Sequence, residues 1–217
     1  MGADCLSAAE RRGVVRFRAS NGAVLQGVLA GTGPTGIVLA HQSDGNLCQW
    51  WSSVGEFVQR GYHVLAFDFE GYEGSATAAD TTDSLSLDVR AAAARLRASG
   101  ASSIVLVGAS MGGTAVLGAA GQPVPGLAAV ISLSGPQRIF GTDAALAAPR
   151  IQVPVLLAAG EGDTLYAADA RSLYPLVRAA KKQLLVVPGA NHGVALFAGD
   201  GRVKAAIYAL LDDARRS

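Results

Sequence analysis

Charged residues and metal-binding side chains are both scarce in this sequence of 217 residues. Only 16% of the residues are charged, 18 Lys and Arg stand against 17 Asp and Glu, and the formal net charge is +1. So even a balance leaves no basic stripe and no polybasic run, which argues against nucleic acid and against an anionic membrane surface as partners. The three histidines and two cysteines are dispersed and make no ligand set, so no metal is expected. Neither a P-loop nor a dinucleotide fingerprint occurs, and no cofactor is expected. No apolar run reaches the roughly 18 residues that would span a bilayer. The opening Met1-Gly2-Ala3-Asp4-Cys5 is not followed by an apolar stretch and does not read as a signal peptide. Repeats, low-complexity stretches and long linkers are absent too, and nothing in the sequence speaks to oligomeric state.

What is present is apolar: half of the residues are hydrophobic. That suffices for one domain with a sizeable core over 1–217, with 1–13 as an N-terminal arm. Short apolar runs alternate with longer amphipathic stretches. The runs are Val14–Arg18, Val24–Leu29, Gly36–Ala40, His63–Phe67, Ile104–Gly108, Ala129–Leu133, Val153–Ala158 and Leu184–Val187. Most are continuous, as in strands buried on both faces; the first two alternate more, as expected of antiparallel edge strands. The amphipathic stretches Leu47–Arg60, Ser84–Ser99, Met111–Gly121, Ala167–Ala180 and Val203–Arg215 have helical length. This alternation predicts an α/β fold, with a mostly parallel central sheet of about eight strands and helices on both faces. In such sheets ligands bind beyond the carboxyl ends of the strands, so the residues that follow each run carry the chemistry.

Two cysteines are too few for a disulfide framework. Cys5, in an otherwise featureless arm, has little packing reason to be there. A Cys5–Cys48 bridge is therefore expected, tying the arm to the region after the third strand. Such a bridge implies an oxidising, extracytoplasmic compartment; two free thiols would fit a cytoplasmic one.

The run Ile104-Val105-Leu106-Val107 leads directly into Gly108-Ala109-Ser110-Met111-Gly112-Gly113, a Gly-x-Ser-x-Gly pattern between a buried strand and a helix. That context suits a serine presented on a sharp turn, with the following N–H aimed at an oxyanion. A serine hydroxyl needs a base. His192 lies in Pro188-Gly189-Ala190-Asn191-His192-Gly193, just past a strand, whereas His41 and His63 precede the serine and read as structural. The carboxylates between Ser110 and His192 are Asp143, Glu161, Asp163 and Asp169. Asp163 is the best placed, in a Gly-rich loop after Val153–Ala158; Glu161 is the reserve, and Asp169 reads as a helix cap.

The chain from about Val14 to Ala214 resembles the α/β hydrolases, whose triad runs in the order serine, acid, histidine. His41-Gln42-Ser43 is similar to the family's His-Gly-x oxyanion segment, with Gln42 in place of Gly. Asp68-Phe69-Glu70-Gly71-Tyr72-Glu73-Gly74-Ser75 resembles its Asp-x-Arg-Gly-x-Gly-x-Ser loop, with Glu70 in place of Arg and one residue inserted. The resemblance implies Ser110 as nucleophile, His192 as base and Asp163 as its partner. It also implies oxyanion donors at Met111 and at Ser43 or Gln42. Trp50, Trp51, Tyr72 and Phe197 are candidate pocket walls, with packing under a helix as the plainer role for the tryptophans. Only Ser134–Gln152 separates two strands where many relatives insert a cap, so no cap domain and an open site are expected. The function implied is cleavage of a small-molecule carboxylic ester. A thioesterase, amidase or dienelactone-type hydrolase would use the same triad, and a non-catalytic binding protein would use the fold alone.

Overall fold

A computed structural model of the chain describes residues 4–216. Its strands are β1 (Val14–Arg18), β2 (Val24–Ala30), β3 (Thr35–Ala40), β4 (His63–Asp68), β5 (Ser103–Ala109), β6 (Leu127–Leu133), the two-residue pair β7 (Arg138–Ile139) and β8 (Thr142–Asp143), β9 (Val155–Gly160) and β10 (Lys182–Val187). Eight of them form one sheet in the order β1-β2-β4-β3-β5-β6-β9-β10. From β4 to β10 all pairings are parallel, while β2 is antiparallel to both β1 and β4. Only β1 is thus an antiparallel edge; β2, expected at an edge, is an interior strand.

The helices are α1 (Cys48–Gln59), α2 (Ser84–Ala98), α3 (Met111–Ala120), α4 (Ala144–Ala147), α5 (Thr164–Leu173), α6 (Val194–Gly199) and α7 (Gly201–Arg216). They sort to two faces because side chains alternate along each strand. Ile37, Leu39, Val105 and Val107 join Trp50, Phe57, Phe197, Ile207 and Leu211 in a core beneath α1, α6 and α7. Val38, Ile104 and Leu106 join Leu85, Val89, Leu96, Val116 and Leu173 in a second core beneath α2, α3 and α5. Each such apolar side chain taken fully out of water contributes about 1.5–3 kcal/mol before entropy is counted. The continuous runs of the sequence are therefore strands that supply two cores at once.

Local chemistry moved several boundaries. The α5 helix stops at Leu173 because Pro175 has no N–H to continue it, and a 3-10 turn follows at Tyr174–Leu176. The strand expected from Val153 begins at Val155, after Pro154. Between β6 and β9 stand only the β7–β8 pair, the four-residue α4 and a 3-10 turn at Ala148–Arg150, so no cap covers the strand ends there.

The arm is not featureless. Ser7 and Glu10 form a reciprocal capping box: Ser7 N–H donates to Glu10 Oε2 at 2.7 Å, and Glu10 N–H donates to Ser7 Oγ at 3.3 Å. Glu10 Oε1 also accepts from Trp51 Nε1 at 3.0 Å, and Leu6 is buried. The Cys5–Cys48 disulfide is present, its Cα atoms 5.7 Å apart across 43 positions of sequence. Cross-linking a loop of that size removes denatured-state entropy worth about 4 kcal/mol in the chain-entropy treatment. The double variant Cys5→Ser, Cys48→Ser should unfold in urea with about 2–4 kcal/mol less stability than the parent protein. An unchanged midpoint and slope would show that the bridge adds nothing to the folded state.

Candidate active site

The chain runs from β3 to β4 on one side of β3, then crosses to β5 on its other side. That reversal opens a crevice at the carboxyl ends of β3 and β5, the place where open parallel sheets bind ligands. Ser110 stands there, between β5 and α3. Its φ of 50° and ψ of −117° lie outside the conformations an L-residue prefers. The turn is held by Ser110 N–H donating to Leu133 O at 2.8 Å and by Thr114 N–H donating to Ser110 O at 3.2 Å. Its glycines are a matter of space: a Cβ on Gly108 would lie 2.0 Å from Gly112 O, and one on Gly112 2.3 Å from Ala40 O. Gly112 N–H also donates to His41 O at 3.1 Å. The serine turn and the loop after β3 are thus in backbone contact.

Asp163 follows β9 and His192 follows β10 at the sheet edge. His192 Nδ1 lies 2.8 Å from Asp163 Oδ2. Three strand spacings of about 4.8 Å separate β10 from β5, so the histidine loop must cross the ends of β9 and β6 to approach Ser110. Two side chains hold it there. Ser134, after β6, accepts from Gly193 N–H at 3.1 Å, and Gln42 Oε1 accepts from Val194 N–H at 2.7 Å. Gly193 has φ 54°, and a Cβ on it would lie 2.0 Å from Gln42 Oε1 and 3.3 Å from the Cβ of Ala109. His192, whose side chain is 29% exposed, therefore belongs to a loop pressed against the end of β5, the strand that leads into Ser110.

The loop after β3 is closely bonded. Gln42 N–H donates to Gln49 Oε1 at 2.9 Å, and the Gln42 side-chain amide donates to Asp44 Oδ1 at 3.2 Å. His41 is buried; its Nε2 accepts from Phe69 N–H at 3.1 Å, so Nδ1 carries the proton and donates to Gln42 O at 2.6 Å. Burial pushes the His41 imidazole down to about 4, which keeps this tautomer neutral at physiological pH. His41 thus shapes its loop, as expected. His63 is a buried strand residue.

Pocket roles are reassigned for three of the four aromatics. Trp50 and Phe197 are fully buried, their ring centroids 5.8 Å apart, and Trp50 Nε1 donates to Ala40 O at 2.9 Å. Trp51 is buried against the arm through Glu10. These rings pack under α1 and leave no face for a substrate. Tyr72 is half-buried; its hydroxyl lies 3.5 Å from Sδ of Met111, the residue after the serine, and its ring centroid 4.9 Å from that of His41. Two neighbours of the histidine went unnoticed in sequence: Ser134, and Tyr166, whose ring centroid lies 4.3 Å from that of His192. The position of Ser134 just past β6 was the signal for the first. Tyr166, three residues after Asp163, is the same signal on α5. Asp169, read as a cap, instead accepts from Gln137 N–H and its side-chain amide at 3.2 and 3.0 Å. A cavity of about 430 Å³ lies over α2 between Arg18, Arg90 and Arg97 and does not border Ser110.

The family described as the alpha/beta hydrolase fold matches residues 36–146. The chain belongs to the α/β-hydrolase family. Solved hydrolases share its shape. An esterase of Pyrococcus furiosus is 18% identical, with a TM-score of 0.78 over 92% of this chain and 89% of its own. An esterase of Exiguobacterium antarcticum is 15% identical, with a TM-score of 0.74 over 90% and 98%. A dienelactone hydrolase of Anabaena variabilis is 24% identical, with a TM-score of 0.68 over 92% and 94%. At such identities the likeness is one of fold. No curated protein matches the sequence.

Within this hydrolase the loop after β4 departs from the family pattern at Glu70. Instead of an arginine, a carboxylate accepts from Ala78 N–H at 2.6 Å and from Asn21 Nδ2 at 2.9 Å. Asp88, fully buried on α2, accepts from Glu70 N–H at 2.8 Å through Oδ2, while its Oδ1 has no hydrogen-bond partner among the described residues. Burial and the neighbouring Glu70 carboxylate push Asp88 up to about 7, and burial pushes Asp68 up to about 6. A carboxyl whose folded-state value is raised binds more protons folded than unfolded, so stability falls as pH rises from about 4 towards 7. Asp88→Asn should flatten this slope, so that its urea midpoint gains on the parent's at pH 8 compared with pH 5. An equally steep slope in the variant would mean that Asp88 is ionised in the folded protein.

Proposed function

We propose that the protein hydrolyses carboxylic esters through an acyl-enzyme on Ser110. The observation that carries this reading is the 2.8 Å contact between His192 Nδ1 and Asp163 Oδ2, on a loop braced against the strand that presents Ser110. With Nδ1–H held by Asp163, Nε2 is left as the base. Ser110 Oγ attacks the ester carbonyl as its proton passes to Nε2. The oxyanion is met by the N–H groups of Met111, at the start of α3, and Ser43. Of the two candidates after β3, Ser43 is preferred because the N–H and side-chain amide of Gln42 are already engaged. Collapse of the tetrahedral intermediate expels the alcohol, which takes the proton from Nε2. Water, giving its proton to the same nitrogen, attacks the acyl carbon; collapse of this second tetrahedral intermediate releases the acid and expels Ser110 Oγ, which takes the proton back from Nε2. No step requires a metal or cofactor.

An active-site-directed phosphonate should label the folded protein once, at Ser110, as read by peptide mass spectrometry. Ser110→Ala should lower turnover of p-nitrophenyl esters by at least about a thousand-fold. A folded, unlabelled protein would sink the reading, and faster turnover of thioesters or amides on the same panel would move it to another substrate class. Gln42→Ala should reduce kcat by about 10- to 100-fold, with an unchanged fold by circular dichroism. It frees the Val194 N–H and lets the histidine loop shift. Full activity in that variant would show the Gln42 contact to be incidental to the placement of His192.

A further inference from the structure

Asp44 follows Ser43, the donor proposed above, and its carboxylate is fixed rather than free to swing. Oδ1 accepts from Gln49 Nε2 at 2.9 Å and from Gln42 Nε2 at 3.2 Å. The same Gln42 side chain holds Val194 N–H, two residues from His192. Asp44 is therefore linked through one side chain to the loop of the base, while being itself exposed to solvent at the rim of the crevice. Tyr72, half-buried, has its hydroxyl against Met111, the residue after the serine. Among the described residues no lysine or arginine forms an ion pair with Asp44, and His192 is the one basic group whose charge bears on it.

We propose that Asp44 is a specificity-determining residue: a fixed negative charge at the mouth of the site that favours esters carrying a positive charge near the scissile bond and disfavours those carrying a carboxylate. This rests on the ester-hydrolase reading and gives it a substrate charge class. The carboxyl of Asp44 is held below the usual range by its bonds from Gln49 and Gln42, so it is ionised throughout the neutral range. The phenol of Tyr72 is raised by burial and by the Asp44 charge. A dienelactone-type substrate, with a free carboxylate beside its ester, would meet repulsion here.

The test compares three esters of one acid. The first has an alcohol bearing a quaternary ammonium, the second its uncharged tert-butyl isostere, and the third a carboxylate-bearing alcohol of similar size. In a ratio of kcat/KM values any effect common to all three cancels. For unit charges about 8 Å apart at a solvated surface, the cationic ester should be favoured over the neutral one by about two- to five-fold at low salt, and the anionic one disfavoured to a similar degree. Asp44→Asn keeps the Oδ1 acceptor for both glutamines and should lower the cationic-to-neutral ratio and raise the anionic-to-neutral ratio, each by about two- to five-fold relative to the parent. With the parent protein, raising the ionic strength to about 1 M, where the screening length is near 3 Å, should do the same without any substitution. Ratios unmoved by Asp44→Asn and by salt, or a preference for the anionic ester, would overturn the role of Asp44 while leaving the esterase reading intact. Neutral-ester turnover no faster in the parent than in Ser110→Ala would overturn both.

Discussion

The structure turns on one close approach, between the start of α3 and the end of β3. There is no room for a side chain where Gly112 meets the Ala40 carbonyl oxygen, nor where Gly108 meets Gly112. Removing those two Cβ atoms lets the helix begin directly over the strand ends, with Ser110 in a conformation that a free chain would rarely visit. The loop after β3 is bonded to that turn through the His41 carbonyl and must follow it. The buried, neutral His41 ring then ties the same loop to the start of the β4 loop through Phe69. The backbone of the serine turn and of the loop after β3 is thus set by packing and by hydrogen bonds.

A second dependence runs across the sheet. The histidine loop starts at the edge strand and has to lie over two neighbouring strands, so its position cannot come from local sequence alone. Successive amides of this loop, Gly193 and Val194, are taken up by Ser134 and Gln42, which come from two different strand ends. Gln42, a departure from the family's glycine at this position, is therefore accounted for. Its side chain fills the space that a glycine would leave and spans the two loops that flank the serine. Glu70, the other departure, acts likewise as an acceptor, ordering the loop after β4 while leaving Asp88 buried beside a second carboxylate.

Anchoring continues outward from the site. Gln49 and Cys48 both belong to the first turn of α1, so the segment that binds the Gln42 N–H also carries the disulfide to the arm. Leu47 N–H donates to the buried Asp68 at 2.9 Å, joining this helix start to the end of β4. The capping box at Ser7 and Glu10 and the Glu10–Trp51 contact complete the attachment of the arm. The tryptophans that follow Cys48 in sequence are consequently part of the scaffold beneath α1 rather than of any acyl pocket.

Residues whose role depends on their immediate neighbours were legible in the sequence. The strand before Ser110, the glycines of its turn and the placement of Asp163 and His192 just past apolar runs all appear in the order of the residues. Continuous apolar runs and tight turns leave a local signature. The tertiary structure alone decided which distant atoms meet. It showed that Trp50 and Phe197 share a core, that Ser134 and Gln42 converge on one loop from strands far apart in sequence, and that Asp44 stands at the rim of the crevice. It also turned the second strand from an edge into an interior one. The physical reason is that strand order and loop crossing are set by which apolar faces pack together across the whole sheet, and no window of sequence contains that information.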